Sequence, residues 1–140
     1  MVMTSEDPVI RIRTDDAPQP AGHYSQAIVA GGCIYVAGQL PIRPDGAGLI
    51  DQSFDDQARQ AIANMLAILA AAGGDARHLL KVTAYIVGVD NWPRFNAVYA
   101  TMLPDARPAR TVVPVTELHH GYLVEVDAIG LLTAAARSST

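Results

Sequence analysis

The sequence predicts an α+β fold of the order ββαβαββ, with two helices packed on one face of a sheet, and three observations carry that prediction. Short runs rich in Val, Ile, Tyr and Thr are separated by turn-forming residues, as strands are. Two longer segments repeat their apolar residues every three or four positions, as helices with one buried side do. Half of the 140 residues are hydrophobic, enough for a packed core in a chain about one domain long, so residues 1–140 are read as a single domain with its core at about 18–132.

In chain order, residues 25–30 and 33–37 are β-prone and joined by Gly31-Gly32, a pair that accepts the positive φ angles of a tight hairpin turn. Pro41, Pro44, Asp45, Gly46 and Gly48 then crowd a segment that reads as a surface loop. A helix follows: Ser53 can cap it, Asp55 and Asp56 suit its positive N-terminus, and Gly73-Gly74 stop it. Its apolar face is Ala58, Ala61, Ile62, Met65, Leu69 and Ala72, with Gln57, Gln60 and Asn64 expected off that face. Residues 80–87 form the next strand candidate. Asp90 or Asn91 can cap a second helix, with Pro93 in its first turn and Phe95, Val98, Tyr99 and Met102 as its buried stripe. Pro104 and Pro108 end it. Residues 109–115 and 122–132 are the last strands, expected to pair as a hairpin across the loop 116–121, and the tail 134–140 is expected to fray.

Bulk properties exclude several function classes. A net charge of −4 without a Lys/Arg cluster speaks against nucleic acid as a partner. The longest apolar run, 65–72, is far below the roughly 20 residues of a transmembrane helix, so no membrane partner is expected. Residues 1–16 mix acids and arginines without an apolar stretch, so no signal peptide is expected; with the single Cys33 this fits a reducing cytoplasm. Only 17% of residues are charged, which suggests that some apolar surface lies between subunits of an oligomer.

Chemistry concentrates near the end of the chain. Residues two apart in a strand share a face, so Leu123, Glu125, Asp127 and Ile129 point one way and Tyr122, Val124, Val126 and Ala128 the other. Two carboxylates on a mostly apolar strand are costly unless paired or put to use. If the last two strands form a hairpin, Arg110 falls opposite these carboxylates, which would suit a cross-strand ion pair as well as a functional site.

Several segments together are specific. They are Gly22-His23-Tyr24-Ser25-Gln26-Ala27, Ala37-Gly38-Gln39-Leu40-Pro41, residues 57–64, Asn96-Ala97-Val98-Tyr99, Pro108-Ala109-Arg110-Thr111 and Val124-Glu125-Val126-Asp127-Ala128-Ile129. In order and spacing, from about Pro18 to Leu131, the chain resembles the RidA (YjgF/YER057c/UK114) family. The resemblance implies a chorismate-mutase-like fold, a homotrimer around a central barrel with three clefts between subunits, and hydrolysis of reactive imines and enamines such as 2-aminoacrylate to 2-keto acids and ammonia, with no cofactor and no metal.

The chemistry suits the matching residues. A guanidinium offers a planar fork to a carboxylate, so Arg110 is the candidate for holding the substrate, and Glu125 is the candidate for positioning water and moving its proton. Tyr24 matches a cleft tyrosine, Gly38 a position where backbone approaches substrate, and Asn96 a helix position that can also serve nearby backbone groups.

The sequence departs from the commoner pattern near this site. Ala37 stands where a serine is usual, and Val112 where a cysteine is frequent. Leu118-His119-His120-Gly121 replaces Leu-Pro-x-Gly, and His23 replaces a proline. Adjacent histidines are not expected to share a face well enough to hold a metal; His119 or His23 could instead reshape the pocket toward a larger or more anionic substrate. Two other readings stand beside a general deaminase: a pathway-specific enzyme resembling 2-aminomuconate deaminase, and a trimer that binds carboxylate ligands without turnover. Ribonuclease activity ranks last, for want of a basic groove.

Overall fold

A computed structural model describes residues 8–138 of the chain. Its strands are β1 (Ile10–Ile12), β2 (Ala27–Ala30), β3 (Cys33–Gln39), β4 (Leu79–Val87), β5 (Ala109–Val115) and β6 (Val124–Leu131), and its helices α1 (Phe54–Ala71), α2 (Trp92–Met102) and the short α3 (Ala134–Ser138). The strands make one mixed sheet in the order β1-β2-β3-β6-β4-β5. α1 lies over β3 and β6 and packs against α2 on the same face.

The local reasons are those of the side chains. Gly31 and Gly32 take φ of 58° and 79°, the left-handed pair that a two-residue hairpin turn needs, and join β2 to β3. Ser53 Oγ accepts from the Asp56 N–H at 3.1 Å to start α1, and Gly73, at φ 97°, carries the chain out of it. The core between sheet and helices holds Ile34, Ile62, Met65, Ile68, Leu69, Val82, Ile86, Phe95, Val124 and Val126, all fully buried.

Four expectations are corrected. The last two strands do not form a hairpin: β6 inserts between β3 and β4, antiparallel to both, while β5 pairs only with β4, in parallel, at the sheet edge. The cause is α2, since a strand–helix–strand crossover returns the chain parallel to its start. Pro114, which cannot donate to a ladder, suits an edge strand. β1 extends the sheet ahead of residue 18 by pairing Ile10 with Val29. The tail winds into α3 as far as Ser138, its first turn held by Thr133 Oγ1, which accepts from the Ala136 N–H; residues 139 and 140, and residues 1–7 of the N-terminal segment, lie outside the described residues.

The fourth correction bears on the site. Gln57 and Asn64 are not off the buried face of α1; they are 0% and 1% exposed. Gln57 donates to the carbonyl of Gln52 and accepts from the Leu123 N–H at 2.9 Å, while Asn64 donates to the carbonyls of Leu40 and Ile42 at 3.2 and 2.8 Å. Buried amides are tolerated when their polar atoms are matched, and these two tie the loop after β3 and the start of β6 to the helix.

Candidate functional site

On the sheet face that the helices leave uncovered, a cavity of about 420 Å³ opens beside the end of β3, with Tyr24, Gly38, Leu40, His119, His120 and Glu125 among its lining. Its floor depends on a bulge. β3 pairs Val36 with Ala128 and then Gln39 with Val126, so Ala37 and Gly38 together oppose one residue of β6. Gly38 thereby comes to lie against Glu125: a Cβ built on Gly38 would stand 2.7 Å from Glu125 Oε2, so no larger residue fits while the carboxylate keeps its place.

The Glu125 carboxylate has no ion-pair or hydrogen-bond partner among the described residues. Its carboxyl titrates above the usual range, first because burial removes water from the charged form and second because the Asp127 carboxylate lies nearby, with His119 opposing the shift. Asp127, on the same face, is also raised, mainly by burial, and Tyr85 Oη donates to it at 3.4 Å. Glu125 is thus a carboxylate whose proton affinity has been moved toward neutrality.

Arg110 lies elsewhere. It pairs with Val82, whose side chain is in the core, and so points to the helix face, whereas Glu125 pairs with Tyr85 on the opposite face, with β4 between them. No Arg110–Glu125 ion pair exists within the chain, which overturns the cross-strand pairing expected from a terminal hairpin. The guanidinium instead sits among the rings of α2, with its carbon 4.8 Å from the Tyr99 centroid, 5.4 Å from Trp92 and 6.0 Å from Phe95. Asn96 Oδ1 accepts from its Nη1 at 3.0 Å. Among the described residues no carboxylate reaches it, so a fixed cation keeps N–H groups for a partner from outside the chain. A second cavity of about 470 Å³, lined by Asn96, Tyr99, Arg107 and Arg110, opens beside it.

The structure therefore divides the anticipated residues into two groups. Tyr24, Gly38, His119 and Glu125 share one cavity; Asn96 and Arg110 share the other. Val112, two residues along β5 from Arg110, is partly buried against the core and lines neither. His23 is exposed and is not part of the lining. Ala37 is part of it and brings no hydroxyl. Contrary to expectation, the adjacent histidines do face the same way: His120 takes φ 61° and ψ 9°, and this left-handed residue brings the two rings to 3.8 Å between centroids. Trp92 is not among the residues expected at the site and Tyr99 is expected only as core, yet Trp92, Phe95 and Tyr99 at spacings of three and four form one aromatic stripe on which an arginine can lie.

A mixed six-stranded sheet with two helices on one face, a raised carboxylate on the other and a caged arginine at its edge defines a small class of α+β proteins. Residues 14–132 match the Endoribonuclease L-PSP family, and the chain belongs to that family, which includes the Rid, YjgF and RutC proteins. It is 41% identical over 118 residues to a RutC family protein of Pyrococcus horikoshii, covering 84% of this chain and 94% of the relative. It is 33% identical over 120 residues to the 2-iminobutanoate/2-iminopropanoate deaminase of Rattus norvegicus, covering 86% and 88%. The E. coli protein TdcF, solved with bound serine, superposes with a TM-score of 0.83 at 28% identity, covering 89% of this chain and 99% of that one. Among the described residues no helix is long and apolar enough to cross a membrane.

Proposed function

We propose that the protein is a hydrolytic deaminase of 2-imino and 2-enamino acids, working as a homotrimer in which Arg110 of one copy completes the Glu125 cavity of its neighbour. The observation that carries this reading is the division of the site. A guanidinium with spare donors and a carboxylate raised toward neutrality lie on opposite faces of one sheet, so one small substrate can meet both only where two copies pack together. The uncovered face also carries Tyr35 and its cross-strand partner Ile129, side chains that a second copy would remove from water. The rat relative's name supports the reaction, and TdcF with bound serine supports a small amino-acid-like ligand.

In this reading the substrate carboxylate binds the Arg110 fork, held in place by Asn96 and the α2 rings. An enamine first takes a proton on its β-carbon, and an imine on its nitrogen, and either becomes the iminium ion. Glu125, as carboxylate, accepts a proton from a water whose oxygen bonds to the iminium carbon, giving a neutral carbinolamine. That proton passes from Glu125 to nitrogen, the C–N bond breaks with its electron pair leaving on ammonia, and the hydroxyl gives up its proton to Glu125 as the carbonyl of the 2-keto acid forms. The reaction consumes only water. Tyr24 and the backbone at Gly38 enclose the reacting carbon, and much of the acceleration comes from positioning an already electrophilic centre.

The test is complementation. Arg110→Ala and Glu125→Gln chains, each inactive alone on 2-aminoacrylate made in situ by a dehydratase, should regain activity when denatured and refolded together, since about one cleft in four then holds both wild-type residues. No recovery on mixing would refute a site shared between copies. Equal ammonia release from wild type and Arg110→Ala would refute the deaminase, and ligand binding without turnover would leave a carboxylate-binding trimer.

A further inference from the structure

We propose that His119 and His120 select for substrates bearing a second carboxylate, namely imino and enamino dicarboxylic acids; this deepens the deaminase reading and rests on it. Most of the cavity's polar side chains are already committed. Gln19 Nε2 donates to the Thr14 carbonyl, Gln26 Nε2 to those of Thr14 and Pro18, and Gln39 Nε2 to those of Ala37 and Gly38. These amides are tied to backbone. Tyr24 Oη accepts from the Ala21 N–H, which leaves one hydroxyl donor.

The two imidazoles are the uncommitted nitrogen donors. Neither the His119 ring nor the His120 ring makes a hydrogen bond or ion pair among the described residues, yet both line the cavity that holds Glu125. Among the described residues no lysine or arginine lines it. Their placement is built into the backbone, because His120 at φ 61° is followed by Gly121 at φ 83°, and two successive left-handed residues turn consecutive side chains to one wall. The rings stand 3.8 Å apart at 51°, and Tyr122 meets His120 edge-on with centroids 6.3 Å apart.

Two ring N–H groups side by side match the two oxygens of a carboxylate, as a pair of separated donors does not. The cavity runs from Glu125 to both histidines, so a longer substrate chain can end at them. Glu125 repels any anion in the same space. The distal carboxylate is therefore held at the histidine wall, away from Glu125, and the α-carboxylate goes to Arg110.

Two measurements test this. One is kcat/KM for imines made in situ by amino-acid oxidases from glutamate and from leucine; the other is calorimetric affinity for 2-oxoglutarate and 2-oxobutanoate. Wild type should favour the dicarboxylates about tenfold, the worth of one hydrogen bond to a charged group. His119→Phe with His120→Asn should abolish that preference, read as the ratio of dicarboxylate to monocarboxylate within each variant, so that any change common to both substrates cancels. Asparagine accepts positive φ, and His119→Phe alone leaves the left-handed residue untouched should the double variant not fold. Equal wild-type affinity for the two keto acids, or a preference that persists in His119→Phe, overturns the proposal. A protein that hydrolyses no imine yet prefers 2-oxoglutarate through these histidines overturns the deaminase reading alone.

Discussion

The two halves of the site are built on opposite principles. Arg110 is clamped: three aromatic rings lie within 6.0 Å of its guanidinium carbon and Asn96 fixes one nitrogen, so its direction is set before any ligand arrives. Glu125 is unclamped, touching the Gly38 backbone and otherwise governed by burial and by the field of Asp127. A group that must recognise a carboxylate gains from a fixed fork, whereas a group that must pick up and release a proton gains from a shifted affinity and no competing partner. The difference teaches that rigidity and proton affinity are controlled by separate elements, α2 for one and the β3 bulge with β6 for the other.

Substitutions that strike only one half sharpen this contrast. Arg110→Ala should have the largest effect, lowering kcat/KM for imine hydrolysis about 10³-fold, because a desolvated carboxylate loses its partner; Arg110→Lys should recover only part, having no planar fork. Gly38→Ala should reduce kcat about 10²-fold with little change in KM, since the added methyl displaces the Glu125 carboxylate and leaves Arg110 alone. A larger change in KM than in kcat would erase the proposed division of labour.

Asp127→Asn addresses proton affinity. Asp127 raises Glu125 by charge, so its removal lowers the Glu125 pKa, and the acid limb of the kcat/KM profile, where activity rises as Glu125 loses its proton, should move to lower pH. An unmoved limb would detach Asp127 from the chemistry. The smallest effect is expected from Trp92→Ala, which removes one of the faces around Arg110 and should raise KM about fivefold, in line with a cation–π contact of about 1 kcal/mol.

Much of the architecture is legible in the sequence because local signals agree with the tertiary result. Gly31-Gly32, Ser53 and Gly73 each mark a boundary that the backbone respects. The strand order is less legible, since pairing of β6 between β3 and β4 is settled by the α2 crossover and by the burial of Val124, Val126 and Ala128, which no local pattern ranks against a simple hairpin. β1 escapes notice because three residues among charges carry little periodicity, and Gln57 and Asn64 look solvent-facing until the loops they bind are in place. Arg110 and Glu125 are legible as residues through their motif. Their separation is not, because it follows from which face each strand residue takes once β4 stands between them.

The extra residue in β3 sets the phase of everything that follows it. Before the bulge, paired residue numbers across β3 and β6 sum to 164, and after it to 165, as Val36 with Ala128 and Gln39 with Val126 show. Deleting Ala37 or Gly38 would restore one-to-one pairing: Gln39 would stay opposite Val126, but the bulge that sets the Gly38 backbone against Glu125 would be gone. The extra residue thus resembles a shim, dispensable to the frame of the sheet and indispensable to the fit of the part it supports, and changes of length among relatives are expected to fall in the loop beyond Leu40 rather than within β3.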